Sequence, residues 1–90
     1  MSKKGMILHI FGRVQGVGFR YYTQKKAEAL GIKGYVKNRP DGSVYVEAEG
    51  EPGALDAFVQ WCEEGPPWAH VRRVEKQEIP PPGFSTFDIK

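Results

Sequence analysis

The stretch Gly12-Arg13-Val14-Gln15-Gly16-Val17-Gly18-Phe19-Arg20 stands between an apolar run and a segment of helical spacing. It lacks the residues that ordinarily close such a junction. The first four N–H groups of a helix have no acceptor inside it, and a Ser, Thr, Asp or Asn side chain at the N-cap normally takes one of them. None of these occurs from Val14 to Arg20. An acid in the first turn would suit the positive end of the helix dipole, yet Arg20 to Lys26 carries Arg20, Lys25 and Lys26 and no acid. A second candidate helix, near Pro52 to Glu64, has the ordinary arrangement, with Glu51 at its start and Asp56 soon after. The first helix is therefore arranged to receive an anion from outside. Gly16 and Gly18 have no Cβ, so the backbone can close around a small anion with positive φ. Consecutive free N–H groups there make a concave phosphate cradle, reinforced by the dipole. Arg20 adds a planar, permanently charged fork for two phosphate oxygens. The chemistry on offer is phosphate binding or phosphoryl transfer. The run is not a Walker A loop, because it lacks the Lys-Ser/Thr ending, and it lacks the third glycine of G-x-G-x-x-G. It has no Cys to form a phospho-enzyme. On composition alone a Gly-rich strand-to-helix turn with a solvated arginine stays open beside the cradle.

The elements that must position this loop follow from periodicity. Met6 to Phe11 is short and rich in β-formers, which predicts a strand running into Gly12. Phe19, Thr23, Ala27 and Leu30 fall on one face of an amphipathic helix ended by Gly31. Tyr35 to Arg39 and Ser43 to Glu49 are β-type segments around Pro40-Asp41-Gly42, a hairpin turn. In the second of them Val44, Val46 and Ala48 alternate with Tyr45, Glu47 and Glu49, predicting one buried and one wet face. Leu55, Phe58, Val59 and Cys62 mark the second helix, stopped by Gly65-Pro66-Pro67. Val71 to Ile79 reads as a fourth strand whose alternation breaks around Arg72 and Arg73, as at a bulge. After the connector Pro80 to Gly83, Phe84 to Ile89 reads as a short closing strand with Phe87 and Ile89 inward. The order is βαββαβ with an extra short strand. That is the α+β, ferredoxin-like split βαβ sandwich, two helices on one face of an antiparallel sheet of four strands plus a short fifth.

Ninety residues are expected to form a single domain, 1–90. A charged fraction of 27% beside 40% hydrophobic residues excludes a disordered chain. The net charge of +2 comes from scattered basic residues, which permits anionic ligands without demanding nucleic acid. Cys62 is the only cysteine and reads as core, so no internal disulfide forms and a reducing compartment is expected. The apolar stretch from Met6 to Phe11 is too short for a signal h-region or a membrane span. The expectation is a cytoplasmic chain, complete at Lys90, with no membrane association.

Three segments together, "GRVQGVGFR", "GYVKNRPDGSV" and "EGPPWAHVRRV", make the chain resemble the acylphosphatase family over Met6 to Ile89. The resemblance implies a ferredoxin-like enzyme that hydrolyses the carboxyl-phosphate bond of acyl phosphates without metal or other cofactor. The substrate is a small acyl phosphate and the products are carboxylate and inorganic phosphate. Carried over by motif position, Arg20 is the phosphate-binding arginine. The backbone of Gln15, Gly16, Val17, Gly18, Phe19 and Arg20 is the cradle, and Asn38 positions the attacking water. Relatives often have Thr or Leu where Arg39 stands, so this extra cation is expected to bear on substrate preference. Nothing requires more than a monomer.

The residues themselves suit that chemistry. The cradle and Arg20 would neutralise the equatorial oxygens of a phosphoryl transition state, and an amide such as Asn38 both accepts and donates hydrogen bonds to water. No motif supplies a general acid, so the leaving group departs unaided, which a carboxylate of pKa roughly 4 can do and an alkoxide cannot. His9 and His70 are isolated, Glu47, Glu49 and Glu51 read as a solvated face, and no zinc-ligand spacing occurs. Asp41 is a turn residue by its place in Pro-Asp-Gly. Without the resemblance, a turn-capping role for Asn38 would be preferred. Two rivals stay in view: a regulatory domain that binds an anion without turnover, and an RNA-binding ferredoxin-like module. Lys33 to Val36, "KGYV", resembles the start of an RNA-binding motif. It lies in the second strand rather than the third and lacks the following aromatics, so Phe11, Tyr35 and Tyr45 are expected to be edge packing or partial core, and no nucleic-acid partner is expected.

Overall fold

The computed structural model describes residues 3–90. In chain order the elements are β1 (Lys4–Arg13), α1 (Phe19–Leu30), β2 (Lys33–Asn38), β3 (Val44–Gly50), α2 (Pro52–Glu64), β4 (His70–Ile79) and β5 (Phe87–Ile89). They build one five-stranded sheet in the order β4-β1-β3-β2-β5, antiparallel except for β5, which runs parallel to β2. This is the ferredoxin-like arrangement expected from the element order.

The alternations and helical spacings become a single core. Leu8 and Ile10 of β1, Val36 of β2 and Val44, Val46 and Ala48 of β3 are fully buried against Phe19, Thr23 and Ala27 of α1 and Leu55, Phe58, Val59 and Cys62 of α2. Each large side chain so buried contributes about 1.5–3 kcal/mol of transfer free energy. Thr23, the one polar member of the α1 face, stays satisfied by donating its hydroxyl to the Phe19 carbonyl at 2.7 Å. Cys62 is 0% exposed, and burial pushes its thiol well above the ordinary range, so it is packing rather than chemistry.

β1 extends beyond Met6 to Phe11 because both neighbours pair with it, from Lys4↔Gly50 on β3 to Arg13↔His70 on β4. Its register with β4 shifts where Phe11 faces Arg73 and Gly12 faces Val71, leaving Arg72 as the extra residue of the expected bulge. The hairpin turn closes through Arg39 N–H to the Ser43 carbonyl at 2.9 Å and Gly42 N–H to the Arg39 carbonyl at 3.1 Å. The Asp41 carboxylate accepts from the Ser43 hydroxyl and N–H, and these bonds hold its pKa below the usual carboxylate value. Asp41 is thus the turn residue its sequence context predicts.

Three expectations are corrected. Alternation puts Glu49 on the wet face of β3, but it is 3% exposed, because its Oε1 accepts from the N–H groups of Gly83 and Phe84 at 2.6 and 2.7 Å. It anchors the proline connector. The closing strand is Phe87–Ile89 rather than Phe84 to Ile89, since Phe84 turns instead to an edge contact with Tyr35 at 5.8 Å between ring centroids. Of the pair expected inward, Phe87 is buried against Phe58 while Ile89 is 40% exposed.

Gly34 allows the closest backbone approach in the sheet. Its φ is +146°, and a Cβ there would lie 1.9 Å from the Glu47 carbonyl oxygen. Gly34→Ala must therefore push β2 from β3, and the expected loss is about 3 kcal/mol. Urea unfolding should show a lower midpoint with an unchanged slope; a midpoint like that of the parent protein would contradict this.

A candidate phosphate-binding site at the start of α1

The chain leaves β1 at Arg13, makes four bends from Gln15 to Gly18 and enters α1 at Phe19. Gly18 is the N-cap, in the left-handed region at φ 77° and ψ 15°, and Gly16 also has a positive φ of 74°. No side chain caps the helix, and no acid stands in its first turn. Among the described residues, no backbone hydrogen bond joins the N–H groups of Gly16 to Tyr21 to another carbonyl; the first is Tyr22 N–H to the Gly18 carbonyl at 3.1 Å. The cradle thus presents unpaired donors at the positive end of the helix dipole. α2 departs from the ordinary acidic start that its sequence predicts. Glu51 caps α2 with no side-chain hydrogen bond, and Asp56 lies beyond its first turn. What separates the two helices is Pro52 at the start of α2, which removes a donor that α1 keeps.

A cavity of about 210 Å³ opens at this junction. Val14 and Phe19, each 1% exposed, form its buried lining, and Gly16, Gly18 and Arg20 bring in the cradle and its charge. Asn38, the last residue of β2, also lines it, 18 residues from Arg20 in the chain. Its Oδ1 is buried and accepts no hydrogen bond. An orphaned buried carbonyl carries a desolvation penalty of about 1–3 kcal/mol, so its presence beside unpaired donors marks a place made for an external donor such as water. Arg20 is half-buried, and no ion pair or side-chain hydrogen bond among the described residues engages its guanidinium. It is free to take an anion.

Of the six cradle residues, Gly16, Gly18, Phe19 and Arg20 line the cavity, whereas Gln15 and Val17 do not. Val17 packs against the core. Gln15 turns its side chain to the hairpin, where Nε2 donates to the carbonyls of Arg39 and Ser43, both at 2.8 Å. This one side chain ties the cradle to the turn that follows Asn38, and so fixes the two halves of the site relative to each other. Gln15→Ala removes both bonds; stability should fall by about 1–2 kcal/mol, and inorganic phosphate should bind roughly tenfold more weakly as the loop loses preorganisation. Calorimetric titration with phosphate, beside urea unfolding, checks both; unchanged phosphate affinity would show that the tie is structural only.

Arg39 does not line the cavity. Its guanidinium carbon lies 5.3 Å from the centre of the Tyr45 ring, on the side chains that alternate away from the core. The extra cation is engaged outside the site. On the same face Arg73 covers Phe11 at 4.3 Å and Lys90 covers Tyr35 at 4.4 Å, while the Tyr35 and Tyr45 hydroxyls donate to Glu47 Oε2 at 2.7 and 3.0 Å. His9 packs between Phe11 and Tyr45, with ring centroids 5.4 Å away in each case. Burial and the Glu47 carboxylate push the Tyr35 hydroxyl well above its usual pKa, so it stays a neutral donor. Among the described residues no group of three or more His, Cys, Asp and Glu side chains is placed to hold a metal ion.

Three lining residues lie outside the site residues singled out in the sequence, Val14, Tyr21 and Ile89. Tyr21 follows Arg20 directly, and only its neighbour's role pointed to it. Ile89 reaches the site because β5 pairs with β2 through Val36↔Ile89, a parallel contact that no local pattern announces.

The sequence model of the acylphosphatase family matches residues 6–89. An acylphosphatase of Thermotoga maritima is 47% identical over 97% of this chain and 97% of its own. One of Yersinia pseudotuberculosis is 46% identical over 100% of this chain and 99% of its own. The solved structure of an acylphosphatase from Coxiella burnetii superposes with a TM-score of 0.94 at 37% identity, covering 99% of this chain and 94% of that one.

Proposed function

The chain belongs to the acylphosphatase family and is an enzyme that hydrolyses acyl phosphates, and from that premise we propose that Arg20 and the Gln15–Arg20 backbone bind the phosphoryl group while Asn38 orients the attacking water. The observation that carries this reading is the buried, unpartnered Asn38 Oδ1 in the cavity shared with Arg20 and the cradle glycines.

The roles follow from the donors and acceptors present. Unpaired N–H groups and the Arg20 guanidinium take the phosphoryl oxygens, whose negative charge spreads in the transition state. Asn38 Oδ1 accepts a hydrogen bond from water and holds its oxygen toward phosphorus. The water oxygen forms the new P–O bond as the bond from phosphorus to the acyl oxygen breaks, its electron pair leaving with the carboxylate. A neutral amide is a poor base, so the water's proton passes to a phosphoryl oxygen of the substrate. Because Arg20 and the N–H groups supply the charge stabilisation, the reaction needs no metal or other cofactor.

Activity should therefore follow the leaving group. With a chelator present, benzoyl phosphate is expected to be hydrolysed rapidly and phenyl phosphate not above its spontaneous rate; equal turnover of both would overturn the unaided departure of the carboxylate.

The same reading takes residues 1–90 as one domain acting as a monomer. The lone buried Cys62 suits a reducing cytoplasm. Nucleic acid is not a partner: Phe11, Tyr35 and Tyr45 carry cations over their rings instead of free faces for base stacking.

A further inference from the structure

Four large apolar side chains are exposed among the described residues, Tyr21, Tyr22, Trp68 and Ile89, and two of them, Tyr21 at 52% and Ile89 at 40%, line the cavity of the phosphate site. Apolar surface left in water at the edge of a cavity, rather than scattered, marks a contact made with a ligand. The two arrive from different elements. Tyr21 stands on the first turn of α1, held edge-on against Tyr22 at 5.3 Å between centroids, with Lys25 Nζ 5.5 Å from its ring centre, and it still leaves half its surface in water. Ile89 stands on β5, whose place is fixed by Lys90 N–H to the Val36 carbonyl at 2.8 Å and by Gln24 Nε2 to the Phe87 carbonyl at 3.0 Å. The second bond joins α1 to β5, so the backbones carrying Tyr21 and Ile89 are tied to each other.

We propose that Tyr21 and Ile89 form the acyl-recognition rim of the site and make the enzyme select acyl phosphates with aryl or branched apolar acyl groups over acetyl phosphate. This rests on the phosphoryl group lying against Arg20 and the glycines. With the phosphate held there and Asn38 engaged with water, the remaining lining is buried Val14 and Phe19, already packed in the core, and the exposed surfaces of Tyr21 and Ile89. A methyl group is too small to cover both, whereas a phenyl ring covers them and removes their apolar area from water. Nothing polar is required of the acyl group, because the departing carboxylate needs no proton. The short fifth strand thereby has a task beyond closing the sheet, namely to carry Ile89 to the cavity beside β2.

The test is the ratio of kcat/KM for benzoyl phosphate to that for acetyl phosphate, measured for the unmodified enzyme and for Ile89→Ser, Tyr21→Ala and Ile89→Leu, with the inhibition constant of inorganic phosphate measured in each. Ile89→Ser and Tyr21→Ala are each expected to lower the ratio by about tenfold, the low end of discrimination by an apolar contact. The effect should fall mainly on KM for benzoyl phosphate, and Ile89→Leu should restore the ratio. Both residues are exposed, so the variants should fold, which urea unfolding verifies. Hydrolysis of both substrates with a ratio unmoved by Ile89→Ser and Tyr21→Ala would overturn the rim while leaving the phosphate site standing. A phosphate inhibition constant that rises as much as the benzoyl phosphate KM would also overturn it, since the change would then lie in the cradle. If the unmodified enzyme hydrolyses neither substrate, the phosphate-site reading fails and the rim with it.

Discussion

Arg20→Gln should lower kcat/KM for benzoyl phosphate by about a thousandfold, the scale of an arginine that meets phosphoryl charge in the transition state. Inorganic phosphate should lose most of its affinity at the same time. The reason is local: the cradle has no acid in the first turn of α1 and no capping side chain, and Arg20 is the cationic side chain that lines the cavity. Folding should be nearly untouched, within about 0.5 kcal/mol, because Arg20 makes no ion pair among the described residues. Arg20→Lys should recover only part of the loss, since an ammonium keeps the charge without the planar two-oxygen fork. An Arg20→Gln enzyme with parental kcat/KM would remove Arg20 from the site altogether.

Asn38→Ala should behave differently, and the difference identifies its role. Losing the group that orients water is expected to lower kcat by about a hundredfold, while inorganic phosphate binds within about threefold of the parent because the cradle and Arg20 are intact. Stability should hold or rise by up to about 1 kcal/mol, because the variant removes a buried acceptor that no protein donor satisfies. An asparagine that merely capped the turn would do the opposite, losing stability and leaving kcat alone. Measured together, kcat, phosphate affinity and the urea midpoint separate the two roles, and an unchanged kcat with reduced stability would assign Asn38 to the turn.

Much of this site is written in local patterns. The missing N-cap, the basic first turn and the paired glycines mark the cradle because each breaks a local rule of helix entry, and Phe19, Thr23 and Ala27 mark the face that docks α1. The hairpin was legible because Pro40, Asp41 and Gly42 each favour a turn for a separate reason. Asn38 was not assignable from the residues alone, since an asparagine before a turn has an ordinary capping use, and only the resemblance to the acylphosphatases singled it out. What stayed hidden was set by contacts across the chain. Glu49 looks solvated by alternation, yet it is buried because the connector 34 residues later brings two N–H groups to it. Gln15 reads as one more cradle position, but its side chain faces carbonyls 24 and 28 residues away. Ile89 reads as inward by alternation, whereas β5 lies at the edge of the sheet with the cavity beside it. Arg39 follows Asn38 directly, yet it lies past the end of β2 with its guanidinium over the Tyr45 ring and outside the cavity, a placement no local pattern announces.

The most direct test of the central claim, that water attacks the phosphorus held by Arg20 and the cradle, is hydrolysis of benzoyl phosphate in ¹⁸O-enriched water followed by mass analysis of both products. The account predicts one labelled oxygen in inorganic phosphate and none above background in benzoate. Label in benzoate would mean attack at the acyl carbon, and neither the phosphate cradle nor the water-orienting role of Asn38 would survive it.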